Sequence, residues 1–445
     1  MRSLFTGPVI QQFGTFTHPM NEFRFAFRQL LKNPGFTAMA ALTFALLFAA
    51  ASLAHADDWP QWRGPKRNGI ATEAGFSTSW RADGPKHLWR KSVGAGYASV
   101  VISQGLLFTA GNSNETDTVV CLDAETGQQR WAFSYPSPTN RDGNRWGPGA
   151  APTVDGTAVY ALSLGGDLFC FEAASGKVLW SNNVPKAVGA KAPRWGLSSA
   201  PVVHENLLLV NSGPAGGAFD KRSGKVVWSS GAGPGGPGPG GYAPAVLFKN
   251  GPETAAAIFS ALALIAVQPA TGKELWRFPW PTSYGVNAAD PIFSGDTVFV
   301  SSGYGKGAGL IRFGNGAPSL VWTNTSMINH FNTCVLIDGH IYGFSCQAGL
   351  EAEGTLRCIE LKTGAVKWTQ AGVGIGTQMA VGNKLVVLTG TGELIVAEAT
   401  PAGFKSLARA QVLGGRCWTV PVFANGRLYC RNAQGDLVCL DVKGG

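Results

Sequence analysis

The chain has 445 residues, of which 45 % are hydrophobic and 14 % charged, with a formal net charge of +9. That balance is too apolar for a disordered polymer. The basic surplus is nowhere gathered into a run with interleaved aromatics, which argues against a nucleic-acid partner.

Residues 36–54, FTAMAALTFALLFAAASLA, carry no charge and follow Arg24, Arg28 and Lys32. Ala54-His55-Ala56 then supplies a small-x-small pattern. A basic stretch, an apolar run and a cleavage pattern predict a secretory signal over 1–56, cut after Ala56. The run is also long enough to span a bilayer, so a retained anchor is the alternative, and membrane contact is expected through this segment only. The remainder is expected in the periplasm or outer envelope. Residues 57–87 read as an extension and 88–445 as one repeat domain.

One ending recurs along that domain. HLWRKSV carries Trp89, DAETGQQRW ends at Trp131, EAASGKVLW at Trp180, DKRSGKVVW at Trp228, QPATGKELW at Trp276 and ELKTGAVKW at Trp368, while Trp322 closes a degenerate RFGNGAPSLVW. From Trp131 on, the spacing is about 46–49 residues, the size of a repeat that folds as one supersecondary unit. Residues 150–180 contain three alternating runs, broken at Asp155-Gly156, Gly165-Gly166 and Ser175-Gly176. Period-2 alternation between such turns predicts antiparallel strands, and four strands per period predict propeller blades.

Eight inner-strand signals follow in order: 99–102, 151–154, 200–203, 243–247, 290–293, 333–337, 378–381 and 419–423. The seventh copy has lost its Trp ending, which leaves seven blades as the runner-up. The eighth stops before any Trp strand. Leu88–Lys91 is therefore expected to complete it and close the ring, because an open seam would leave two unpaired edges. The expected fold is an all-β, eight-bladed propeller, monomeric. In the recurring ending, Gly takes the positive φ of a tight turn, the acid accepts turn amides, and Trp fills the space between blades. The eight Cys contain no C-x-x-C. Cys121, Cys170, Cys358 and Cys439 hold one position in four blades and read as small buried hydrophobes, while a Cys334–Cys346 disulfide stays open.

Long loops on a rigid scaffold carry function more often than short turns. The long connections here lead into the inner strands and display Arg145-Trp146-Gly147 and Arg194-Trp195-Gly196 at matching positions. Tyr97, Tyr242, Tyr284, Phe331 and Trp418 occupy similar positions in other blades, Arg416 lies nearby, and Asn287, His330, Asn332 and Gln378 add polar groups. Together they are expected to ring the channel mouth with aromatics, amides and guanidinium groups, a set suited to a flat, anionic or peptide ligand.

The D/E-x-x-[T/S]-G-K-x-x-W ending resembles the repeat of pyrroloquinoline-quinone (PQQ)-type propellers. Asp58 to Pro65, DWPQWRGP, with Arg67 and Gly69, resembles the start of secreted PQQ-like proteins. The resemblance implies one of two functional groups. One is non-catalytic, such as the propeller scaffold of outer-membrane β-barrel assembly. The other is the quinoprotein dehydrogenases, which stack PQQ between a Trp and a vicinal Cys–Cys disulfide and hold Ca²⁺ with Glu, Asn and Asp. Here no two Cys are adjacent and no C-x-x-C-H is present. Asn287 and Asp290 would be a remnant of the metal and base pair, without a partner Glu, and the stacking Trp would be Trp146, Trp195 or Trp418. No Cys follows the predicted cleavage site to take a lipid. The expectation is an exported, non-catalytic scaffold without a cofactor, binding an envelope protein, a peptide or a small ligand. The alternative is a PQQ- and Ca²⁺-dependent alcohol or sugar dehydrogenase.

Overall fold

Alternation in each repeat becomes four antiparallel strands, as blade 2 shows: Thr153–Asp155 innermost, then Ala158–Leu162, Asp167–Glu172 and Val178–Asn183. The computed structural model describes residues 58–81, 83–139, 146–231, 240–314 and 316–444. It contains eight such sheets, each a blade of one ring. The signal or anchor expected over 1–56 lies outside the described residues, as does Arg145. Among the described residues no helix is long and apolar enough to cross a membrane.

The seventh blade needs no Trp ending. Its strands, Gly376–Val381, Lys384–Thr389, Glu393–Glu398 and Ser406–Gln411, form a full sheet, which sets the count at eight. The eighth blade takes Val422–Ala424, Arg427–Arg431 and Asp436–Asp441 from the end of the chain. Its outer strand is Lys86–Ser92, antiparallel to Asp436–Asp441 with Trp89 opposite Cys439. The ring is thus closed by the N-terminal strand, as the sequence implied.

The recurring residues form one device between successive blades. Trp131 of blade 1 donates its indole N–H to Ala173 O in the third turn of blade 2 at 2.8 Å. Trp180, Trp228, Trp322, Trp368 and Trp89 repeat the bond onto Lys221, Pro269, Leu361, Thr400 and Ala124. The turn glycine lies under the ring. A Cβ on Gly176 would stand 2.5 Å from Trp131, and one on Gly127 2.7 Å from Trp89. The glycine is therefore fixed twice, by its positive φ and by the indole covering it. Trp276 is the exception: it faces the degenerate turn of blade 5 and bonds Asn250 Oδ1 instead, at 3.4 Å. All eight outer pairs also carry a one-residue bulge just before the Trp position.

The cysteines fit the same geometry. In blade 2 Cys170 lies between Tyr160 and Trp180 on the flanking strands. Cys121, Cys358 and Cys439 lie likewise between Phe108 and Trp131, Tyr342 and Trp368, and Tyr429 and Trp89. A small side chain there lets the two flanking rings approach, to 6.0 Å for Tyr160 and Trp180. All eight cysteines are buried thiols, so the Cys334–Cys346 bridge does not form. Burial raises the Cys334 thiol to about 12.

Where blade 8 meets blade 1, Arg431 is only 2 % exposed. Its Nη1 donates to Ala98 O, Ala110 O and Thr109 Oγ1, and its Nη2 to Gly94 O. Burial lowers its pKa to about 10. One planar fork thus ties the closing blade to the first by oxygen acceptors of blade 1 and its lead-in. We expect Arg431→Ala to cost about 2–3 kcal/mol, because buried carbonyls lose a charged donor. A melting temperature unchanged from wild type would contradict this role.

Residues 58–81 run across the ring face that holds the turns after the inner strands. Trp59 pairs with Ile102 of blade 1, and Pro60 O accepts from Val154 N of blade 2. Arg67 donates to Val203 O of blade 3. Ile70–Ala71 adds a parallel strand beside Ala380–Val381 of blade 7, and Glu73 accepts from Asn425 N of blade 8. The segment plugs that end of the channel.

Candidate functional site

At the opposite end the lead-ins to the inner strands surround a cavity of about 300 Å³. Gly149 and Ala151 of blade 2 and Ser198 and Ala200 of blade 3 line one side with small side chains, which creates the space. Aromatics line the other side. Tyr304 meets His330 at 5.2 Å, His330 meets Phe331 at 5.4 Å, Phe331 meets Trp418 at 4.5 Å, and Trp418 stacks on Tyr97 at 5.8 Å. Trp195 and Tyr242 add a second pair at 6.1 Å.

Two guanidinium groups lie on the rim. Arg416 sits 4.4 Å over Trp418 and 5.1 Å over Trp146, and donates to Tyr97 Oη at 3.4 Å. Arg194 sits 5.1 Å over Trp195 and 6.0 Å over Tyr284. Burial raises the Tyr97, Tyr242 and Tyr304 phenols, so none contributes a negative charge near neutral pH. Burial also lowers His330, which keeps its imidazole neutral there. Its Nε2 faces Tyr304 Oη at 3.4 Å.

The floor belongs to the N-terminal plug. Trp62 donates its indole N–H to Asp290 Oδ2 at 2.8 Å, and Arg63 Nε lies 3.6 Å from the same oxygen. Arg63 also donates to Asn68 O and Cys334 O, both at 2.8 Å. Thr333 Oγ1 reaches Asp290 Oδ1 at 3.4 Å. Arg63 is 6 % and Asp290 7 % exposed. Burial pushes the Asp290 carboxyl up, and Arg63 opposes that. The floor carries one charge of each sign; at the mouth the two guanidinium groups are accompanied by Glu351, whose charge acts on Tyr304 and His330.

The structure sorts the expected residues. Trp195, His330 and Trp418 line the cavity. Arg416, Arg194 and Trp146 stand at its rim, and Tyr284 is 67 % exposed beside Tyr304. Asn287 does not belong to the mouth and is fully buried. Its Nδ2 donates to Ser260 O at 2.7 Å and its Oδ1 accepts from Ser302 Oγ at 2.7 Å, so it pins the blade 5 lead-in to blade 4. The two Arg-Trp-Gly copies also differ: Trp195 is covered by its own neighbour Arg194, Trp146 by Arg416 from another blade. Sequence reasoning missed Tyr304, in a loop between middle strands, and the floor residues Trp62 and Arg63. The two Trp and one Arg packed into DWPQWRGP were the available signal.

The two residues expected to hold Ca²⁺ are engaged by other groups. Asp290 is taken by Arg63 and Trp62, and Asn287 by Ser260 and Ser302. Among the described residues no group of three or more His, Cys, Asp or Glu is placed to hold a metal. The Asn287–Asp290 remnant expected from the resemblance therefore does not hold.

A family model described as outer membrane protein assembly factor BamB matches residues 77–145, 139–370 and 352–445. The chain belongs to this family. Among solved structures, BamB from Moraxella catarrhalis matches with a TM-score of 0.54 at 13 % identity, over 79 % of this chain and 97 % of its own. Quinohemoprotein alcohol dehydrogenase from Comamonas testosteroni matches with a TM-score of 0.64 at 15 % identity, over 89 % and 82 %. A europium-containing methanol dehydrogenase matches with a TM-score of 0.63 at 12 % identity, over 84 % and 89 %. A search of curated protein sequences found no match. These likenesses establish the PQQ-like propeller fold. They also correct one expectation. The chain was read as not an enzyme, yet two dehydrogenases share its fold with higher TM-scores than the BamB from M. catarrhalis, so membership of this fold family does not support that exclusion.

Proposed function

We propose that the chain is an exported envelope propeller whose channel cup binds a small, flat, anionic ligand. The observation that carries this is the aromatic arc from Tyr304 to Tyr97 beneath Arg416. Rings on a rigid scaffold offer stacking area at low entropic cost, and guanidinium groups recognise carboxylate or phosphate bidentately. A cavity of about 300 Å³ matches the lower end of small-molecule pockets and suits one or two fused rings. Export is supported by the apolar run and small-x-small pattern of the leader and by the description of the family. Binding is the step that an envelope scaffold and an enzyme on this fold would share.

Isothermal titration with 2-naphthoate, and with PQQ in the presence and absence of Ca²⁺, tests the proposal. Saturable binding independent of Ca²⁺ is expected, because Asp290 is already engaged. Arg416→Ala should weaken 2-naphthoate at least about tenfold, or about 1.4 kcal/mol. Absence of saturable binding by any of these probes would reject the cup as a ligand site. Binding of PQQ only with Ca²⁺ would favour a dehydrogenase-type site instead.

A further inference from the structure

Trp62 and Trp59 lie three residues apart in the plug but in different surroundings. Trp59 is 3 % exposed, paired with Ile102 and packed on Gly64. Trp62 is only half-buried and faces the cup. Trp62 also borders a second, much smaller space of about 10 Å³, lined with Gln61, Arg67 and Val246. Trp62, Pro244 and Asp290 border both spaces, and the indole is the largest side chain of the three between them. Its N–H is spent on Asp290, and Asp290 is balanced by Arg63. What the floor offers a ligand is therefore an apolar ring with no free charge, while the guanidinium groups sit at the rim.

We propose that Trp62 is the depth and specificity determinant of the cup, supplied by the N-terminal segment rather than by any blade. This rests on the ligand reading above and sharpens it. The ligand enters ring first, its flat apolar end stops at Trp62, and its anionic end stays at the rim beside Arg416. The substrate class is an aryl carboxylate or aryl phosphate short enough to fit between the two. Because the floor is part of the plug, an occupied cup also holds residues 58–73 in place, as any ligand stabilises the state it binds.

The test uses two probes of different length, 2-naphthoate and biphenyl-4-carboxylate, titrated into the whole chain and its variants. Wild type should prefer 2-naphthoate. Trp62→Ala should merge the two spaces and shift the ratio of dissociation constants at least about tenfold toward the longer acid. Trp62→Phe, which keeps a ring, should stay within about threefold of the wild-type ratio. If the Ala variant does not fold, Trp62→Leu replaces it, with a shift in the same direction. Saturating 2-naphthoate should also slow amide exchange in residues 58–73 of wild type about tenfold or more. Wild type that binds neither acid would end the ligand reading itself. Wild type that binds, with an unchanged ratio in the Ala or Leu variant or unchanged exchange in the plug, would overturn the role of Trp62 alone.

Discussion

Gly176→Ala is expected to destabilise the ring by about 2–5 kcal/mol, and Gly156→Ala in the same blade by only about 1–2 kcal/mol. Both glycines have positive φ, 73° and 60°, so both variants carry the left-handed backbone strain of about 1–2 kcal/mol. Nothing lies within 4 Å of a Cβ on Gly156, whereas one on Gly176 would enter the Trp131 ring. Forcing a methyl into a packed contact adds about 1–3 kcal/mol. Chemical denaturation of the two variants measures the difference. Repeating Gly176→Ala in a Trp131→Ala background separates the causes, since without the indole only the backbone term is left and the cost should fall to that of Gly156→Ala. Equal costs for the two single variants would show that the indole does not press on the turn.

Asp290→Ala should cost about 3–5 kcal/mol, because it leaves the Arg63 guanidinium buried beside no carboxylate. The two carbonyl bonds from Arg63 remain, but neither supplies charge. The loss should appear as faster exchange in residues 58–73 together with a lower melting temperature. An Arg63→Met, Asp290→Leu double variant should recover most of it, since replacing a buried pair with apolar groups is often neutral. A melting temperature for Asp290→Ala equal to wild type would mean that the pair does not anchor the plug. The sign of the pH effect follows from the raised Asp290 carboxyl. The folded chain takes up this proton more readily than the unfolded chain, so the contribution of this group to stability does not fall as pH drops toward about 4.

The architecture was legible because its determinants are local. Each blade announces itself within one repeat by alternation, a turn glycine and a Trp. Blade 7 was counted by alternation alone after its Trp was lost, and its sheet is complete. The pairing of Leu88–Lys91 with the last blade followed from one missing strand at each end. The plug was illegible for the opposite reason. It meets blades 1, 2, 3, 5, 6, 7 and 8 through scattered hydrogen bonds, isolated bridges, one ion pair and a two-residue strand, and no period in the sequence records such contacts. Asn287 misled because an amide just before an inner strand looks the same whether it faces a channel or fixes a lead-in. Only its partners, Ser260 and Ser302, decide between the two. Tyr97, Trp195, Tyr242, Phe331 and Trp418 were legible as cavity residues because aromatic side chains at a similar offset in several blades converge near one axis.

Pairing Lys86–Ser92 with Asp436–Asp441 has a kinetic consequence. The two strands are separated by roughly 350 residues, and closing so long a loop makes their union a late step in folding. Until then the three-stranded sheet at 422–441 has a bare edge, and the strand at 86–92 has no partner. In a concentrated refolding mixture each can be satisfied by another molecule as readily as by its own chain, which is how exchanged dimers arise. Yield of single rings should therefore fall as the refolding concentration rises, and a permuted chain that places 86–92 directly after 436–441 should escape that dependence.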